Sequence, residues 1–299
     1  TLIGAGGADT LYGEGGTDTV WYASSSVAVS VNLQAGQATD GFGAVDSLVG
    51  IENIIGSNQS DTLTGDAQAN LIQGGDGADT LFGGAGNDVL EGGNAADQAS
   101  YAGSEAVTIE WGTTGAAVVK GDVLVGTDTL TAIEQVLGSS AGDTFKAATG
   151  GDFTTGFTWD GAGGADTLDL TTASGKNYEV DLSNAAGYAR VAGDTLSQSL
   201  RNIEHVKFQD GTNVIKGSIS DNRIEGGSGT DTYDLTSAGS AVGVTVTALS
   251  NVVVAGSVAQ VGTDTLSGVE VVKLGSNYND TVFGIADGLT VVGGENAGN

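Results

Sequence analysis

The sequence predicts an all-β solenoid of short stacked coils, and three features predict it. A glycine-rich block recurs every nine residues, each block carries one apolar residue at its eighth position, and four longer stretches alternate apolar with polar side chains. A helix is excluded where the blocks are densest: six of the residues from Gly74 to Gly86 are glycine, each costing about 1 kcal/mol in a helix interior. Disorder, which high charge and abundant glycine would favour, is set aside because 39% of the residues are hydrophobic and keep a period.

Taken in order, the blocks open at Gly4 and Gly13 (GAGGADTLY, GEGGTDTVW). They then run without a gap from Gly56, Gly65, Gly74, Gly83 and Gly92 (GSNQSDTLT, GDAQANLIQ, GGDGADTLF, GGAGNDVLE, GGNAADQAS). Later copies start at Gly138, Gly161, Gly217, Gly226 and Gly275 (GSSAGDTFK, GAGGADTLD, GSISDNRIE, GGSGTDTYD, GSNYNDTVF). The first six residues of a block are turn formers, with glycine supplying backbone conformations closed to other residues. The last three, such as Thr80-Leu81-Phe82, form a strand in which only the middle side chain points inward. Those middle residues are Ile54, Leu63, Ile72, Leu81, Leu90 and Ala99, and the beat resumes at Val206, Ile215, Ile224 and Tyr233. One block cannot bury its single apolar residue, so two blocks close a flattened coil of about 18 residues. Stacked coils set Leu63 over Leu81 and Ile72 over Leu90, with strands pairing in parallel at about 4.8 Å.

A longer unit overlies the blocks. Asp18, Asp97, Asp166 and Asp231 each open a stretch with an alternating strand: VAVSVNL, AVTIEW, YEVDL and VGVTVTAL. Four residues after each stands Tyr22, Tyr101, Leu170 or Leu235. Each stretch then reaches an Asp-x-Leu signal and a glutamate: DSLVGIEN, DTLTAIEQ, DTLSQSLRNIEH and DTLSGVEV, with Glu52, Glu134, Glu204 and Glu270. Four tandem copies follow, 1–73, 74–146, 147–225 and 226–299, without a linker between them, as expected of one continuous array. The chain starts and stops within the repeat, which makes it read as a segment of a longer protein.

Charge narrows the chemistry. A net charge of −28, from 37 acids against nine Lys plus Arg, argues against nucleic acid, whose phosphates need basic partners, and against an anionic membrane surface. No run of residues is apolar enough for membrane insertion. Asp outnumbers Glu, 26 to 11, and eleven Asp precede Thr directly, a bias that places short carboxylates beside turning backbone. Stacked at strand spacing, such anions repel by about 3 kcal/mol per pair at an effective dielectric near 20, so cations are required between them. The turns aim backbone carbonyls into the same gaps. An all-oxygen, flexible, anionic cage suits Ca²⁺. Zn²⁺ would want His or Cys, of which the chain has one and none, and Mg²⁺ demands stricter octahedral geometry.

GGDGADTLF, GGAGNDVLE and GGSGTDTYD resemble the glycine-rich nonapeptide of RTX, or hemolysin-type, calcium-binding proteins. The likeness is strongest over residues 56–100, and the longer unit is similar to repeats of very large bacterial surface and adhesin-like members. The resemblance implies a right-handed parallel β-roll or β-helix holding several Ca²⁺ ions between turns. It further implies type I secretion and folding outside the cell. Carried over block by block, the expected metal residues are Asp9, Asp18, Asp61, Gly75, Gly77, Asp79, Gly84, Gly86, Asp88, Gly93, Asp97, Asp143, Asp166, Asp221, Gly227, Gly229, Asp231 and Asp280. The pattern is broken by Asn70 in place of Asp, by Ala95 in place of Gly, and in GSISDNRIE by the missing later glycine.

His205, the only His, has no nucleophile elbow to serve and reads as a strand residue. Carboxylate pairs occur throughout and so do not single out a glycosidase. Trp111, which ends an alternating strand as Leu33, Leu182 and Leu249 do, is expected in the core. Trp21 is expected to face outward, a candidate for stacking on surface glycans, as Trp159 also is. The four glutamates either ligate metal or accept backbone N–H bonds. The expected function is non-enzymatic: a calcium-rigidified segment of a secreted, extracellular surface or matrix protein, such as an adhesin, surface layer or fibre. Its partners would be Ca²⁺ and neighbouring repeats or like chains end to end. The alternative is an accessory calcium-binding module of a secreted protease or polysaccharide epimerase whose catalytic domain lies elsewhere. A solenoid lyase in its own right would need more basic residues than nine.

Overall fold

A computed structural model of the chain describes residues 1–112, 117–121, 125–147, 156–173, 175–182, 187–218, 220–236, 244–248, 252–256, 263–274, 281–283 and 288–293. Among the described residues every regular element is a strand, most only three to five residues long. The chain divides into two compact units, Thr1–Asp143 and Thr144–Asn299.

In the first unit successive blocks alternate between two sheets. One runs Thr10–Tyr12, Val45–Val49, Gln37–Thr39, Ser30–Asn32, Thr62–Thr64, Thr80–Phe82, Gln98–Ser100, Gln135–Leu137 in spatial order. The other runs Thr19–Trp21, Asn53–Ile55, Leu71–Asp76, Val89–Asn94, Thr127–Thr131, Ala117–Lys120, Thr108–Trp111. The coils stack as their period requires. Leu63 pairs with Leu81 and Leu81 with Ala99 in one sheet, while Ile54 pairs with Ile72 and Ile72 with Leu90 in the other, all in parallel register. All six side chains are fully buried. A three-residue strand contributes a single inward side chain, so the core is two columns of aliphatic residues.

The second unit repeats this plan with larger residues. Val206 pairs with Ile224, and Ile215 with Tyr233, again in parallel and again fully buried. Trp159 lies in its core, stacked on Phe145 at 5.4 Å between ring centroids. Neither Trp159 nor Trp111 is open to a glycan, since both are buried, whereas Trp21 is partly exposed beside the buried Val20.

One feature departs from the sequence expectation of parallel pairing. Each of the four alternating stretches is the first strand of a three-stranded antiparallel meander: Ser30–Asn32, Gln37–Thr39, Val45–Val49 in the first, and Thr108–Trp111, Ala117–Lys120, Thr127–Thr131 in the second. Tyr178–Asp181, Gly187–Val191, Gln198–Arg201 form the third, and Val244–Ala248, Val252–Gly256, Thr263–Ser267 the fourth. The outer strands rejoin the parallel stack, Val45–Val49 on Thr10–Tyr12 and Ser30–Asn32 on Thr62–Thr64 in the first case. Each compact unit carries one meander in each of its two main sheets.

The third Asp-x-Leu signal is also corrected. Asp194 and Leu196 are exposed, and the last strand of that meander is Gln198–Arg201, with Gln198 and Leu200 buried and Leu200 paired to Trp159. Gln198 stands six residues before Glu204, the spacing that also separates Asp46, Asp128 and Asp264 from their glutamates.

Candidate metal centres

The turn residue that opens a block such as 74–82 is glycine for a steric reason. A Cβ on Gly74 would stand 2.2 Å from Asp79 Oδ2 and 2.6 Å from the Gly92 carbonyl oxygen of the next coil. The glycines expected at metal sites, Gly75, Gly77, Gly84, Gly86, Gly93, Gly227 and Gly229, all have positive φ. At Gly75, φ is 116° and a Cβ would meet the Ser57 carbonyl oxygen at 2.3 Å, so the turns also nest too closely for side chains. Ala95 keeps the turn at φ 95°.

These turns bring the sixth-position carboxylates inside the stack. Asp61, Asp79, Asp88, Asp97, Asp143, Asp166 and Asp231 are each 2% exposed or less. Each coil hangs on the next through one contact type. The Asp61 amide donates to Asp79 Oδ1 and the Asp79 amide to Asp97 Oδ1, both at 2.8 Å. On the other side of the coil Asn70 N–H donates to Asp88 Oδ1 and Asp88 N–H to Asp128 Oδ1. In the second unit Asn213 N–H donates to Asp231 Oδ1. Where a meander interrupts the stack, the glutamates take the same part: the amides of Asp18, Asp97, Asp166 and Asp231 donate to Oε2 of Glu52, Glu134, Glu204 and Glu270 at 2.7–3.0 Å. The glutamates are thus backbone acceptors. Asp9 N–H donates to Asp46 Oδ1, and Asp9 and Asp18 are less buried than the others.

The acids of three Asp-x-Leu signals, Asp46, Asp128 and Asp264, are buried, which the sequence reading did not expect. Each accepts a tyrosine hydroxyl on Oδ2, from Tyr22 at 3.1 Å, Tyr101 at 3.0 Å and Tyr233 at 2.6 Å. Their signal was the six-residue spacing to the glutamate. Asp221, expected among the ligands, is exposed, and the buried sixth place of its block is Asn222. Asp280 lies outside the described residues.

Burial without charge compensation leaves its mark on the acids. Asp79 and Asp88 are pushed up to about 7, chiefly by desolvation, with neighbouring carboxylates adding to it. Asp231 is raised to about 6, and Asp61, Asp97 and Asp143 are raised too, in each case chiefly by burial. The second oxygens of Asp79, Asp88, Asp97 and Asp231 are buried with no hydrogen-bond donor. A buried, unpaired carboxylate oxygen costs several kcal/mol unless a cation or donor meets it, so the residues fit a hard divalent ion. Among the described residues no three acidic or imidazole side chains gather at one point. An ion there must draw most of its ligands from backbone carbonyls, which suits Ca²⁺ with its six to eight oxygens.

Comparison with known families agrees with this chemistry. Residues 1–24, 48–77, 55–90, 64–99 and 209–237 match the family model of the RTX calcium-binding nonapeptide repeat. No curated protein matches the chain.

Proposed function

Because the chain carries RTX calcium-binding nonapeptide repeats, which bind several Ca²⁺ ions, we propose that it is a calcium-folded structural segment of a secreted bacterial surface or extracellular-matrix protein, with no catalytic role of its own. We read it as four tandem units of one array. The ions are held through Asp79, Asp88, Asp97 and Asp231 together with turn carbonyls. The observation that carries this reading is the set of donorless carboxylate oxygens inside a stack whose apolar core is only two columns wide. Such a stack folds where the ion is abundant. A site with a dissociation constant of about 0.1 mM adds roughly 2 kcal/mol at a few millimolar Ca²⁺ and almost nothing at micromolar levels. Several sites together match the 5–15 kcal/mol of a typical domain. The chain therefore stays unfolded inside the cell and becomes rigid on export.

The test is circular dichroism of the chain in chelator and in millimolar Ca²⁺, paired with electron microscopy. β-structure and elongated particles appearing only with Ca²⁺ support the proposal. Equal β content in chelator sinks it.

A further inference from the structure

Eight of the described turns fall into two classes, separated by the second residue of the block. In the turns 74–79, 83–88, 92–97 and 226–231 that residue is Gly75, Gly84, Gly93 or Gly227, each with positive φ, and Oδ2 of the closing Asp is buried without a donor. Ala5 at φ 65°, ahead of Asp9 with its own donorless Oδ2, repeats the pairing. In the turns 56–61, 65–70, 138–143 and 217–222 the second residue is Ser57, Asp66, Ser139 or Ser218, and none has positive φ. Its backbone N–H instead points into the turn and donates to the sixth side chain: Ser57 to Asp61 Oδ2, Asp66 to Asn70 Oδ1, Ser139 to Asp143 Oδ2 and Ser218 to Asn222 Oδ1. Its side chain accepts the amide two residues on, at Gln59, Gln68, Ala141 and Ser220. The remaining oxygen of Asp61 and Asp143 is taken by the serine hydroxyl and by the amides of Val29 and Val107. In two of these four turns the acid is replaced by Asn, whose amide donates to the Glu52 or Glu204 carbonyl.

We infer that the second residue decides whether a turn takes an ion: turns opening Gly-Gly hold Ca²⁺ through an unpaired Asp oxygen, whereas turns opening Gly-Ser or Gly-Asp are sealed by their own N–H groups and hold none. Sealed turns are ion-free couplings between coils. A carboxylate whose two oxygens both already meet N–H or O–H donors offers a cation no bare oxygen, and an inward N–H repels one. Asp61 and Asp143, expected among the ligands, belong to the sealed class. This rests on the calcium reading above and refines which residues serve it.

The experiment compares Asp→Asn variants of the full chain by calorimetric Ca²⁺ counting and by the slope of Tm against log[Ca²⁺], which reports ions taken up on folding. Asp79→Asn, Asp88→Asn, Asp97→Asn and Asp231→Asn should each lower the count by at least one ion and flatten the slope. Asp61→Asn and Asp143→Asn should leave both unchanged even where Tm falls, since Asn already fills that place in two sealed turns. A count lowered as much by Asp61→Asn or Asp143→Asn as by Asp88→Asn overturns the inference. A wild-type chain that takes up no Ca²⁺ overturns the calcium reading itself, and is recognised before any variant is made. If one open-turn variant does not fold at any Ca²⁺ level, the other three carry the comparison.

Discussion

At the scale of single residues, the turns tolerate very little. Ala95 occupies a left-handed conformation, φ 95°, that glycine adopts freely. Ala95→Gly should therefore stabilise the calcium-loaded chain by about 1 kcal/mol, read as a higher Tm at fixed Ca²⁺. The buried aspartates set the pH response. Asp79 and Asp88 sit near 7 in the ion-free fold against an ordinary value of 3.8, so the folded chain binds more protons than the unfolded one between those values. Their contribution to ion-free stability is complete below pH about 4 and is lost as pH rises through about 7. In chelator, residual structure should be greater at pH 5 than at pH 8. Calcium requires the ionised form, so apparent Ca²⁺ affinity should move the opposite way and weaken as pH falls below 7. Titrations of both kinds, followed by circular dichroism, check the pair; a parallel response would contradict it.

At the scale of elements, the first, second and fourth meanders are each locked by a buried Tyr–Asp pair. Tyr101 donates its hydroxyl to Asp128 Oδ2 while Oδ1 accepts the Asp88 amide. Tyr101→Phe should cost about 1–3 kcal/mol, because it orphans one buried oxygen. The third copy has changed both positions together: Leu170 stands where the first two copies have tyrosine, and neutral Gln198 where they have Asp. Tyr101→Leu combined with Asp128→Gln should accordingly cost less than the sum of the two single changes in a double-mutant cycle of thermal stabilities. In the fourth copy the pair survives by another route, since Tyr233, on a strand of the other main sheet, reaches Asp264.

At the scale of the whole chain, a charge of −28 opposes compaction in the absence of divalent ions. Screening relieves the long-range part of that repulsion, since the Debye length falls to about 3 Å in 1 M salt. It does not supply ligands to buried oxygens. Added NaCl at about 1 M should therefore leave the chelated chain largely unfolded at pH 8, whereas millimolar CaCl₂ folds it, as judged by far-ultraviolet circular dichroism. Folding by NaCl alone would show that net charge, and not the donorless oxygens, is the obstacle.

The nine-residue period by itself determined the coil, its parallel pairing and its core, because a strand of three residues has only one side chain to bury and the block length dictates where it falls. Leu63, Leu81 and Ala99, or Ile54, Ile72 and Leu90, were legible for that reason. So was the ion chemistry, since glycine and aspartate in fixed order leave few other uses. The meanders were only half legible: their first strands alternate clearly, but middle strands such as Gln37–Thr39 carry one small inward residue, Ala38, and no pattern. Only the tertiary structure decided which carboxylate oxygens meet a donor. Asp61 and Asp79 look alike in their blocks, yet one has both oxygens met by N–H and O–H donors and the other has one left bare. That difference arises from the backbone angle at Ser57 against Gly75 and from amides of distant coils, which a linear pattern does not display.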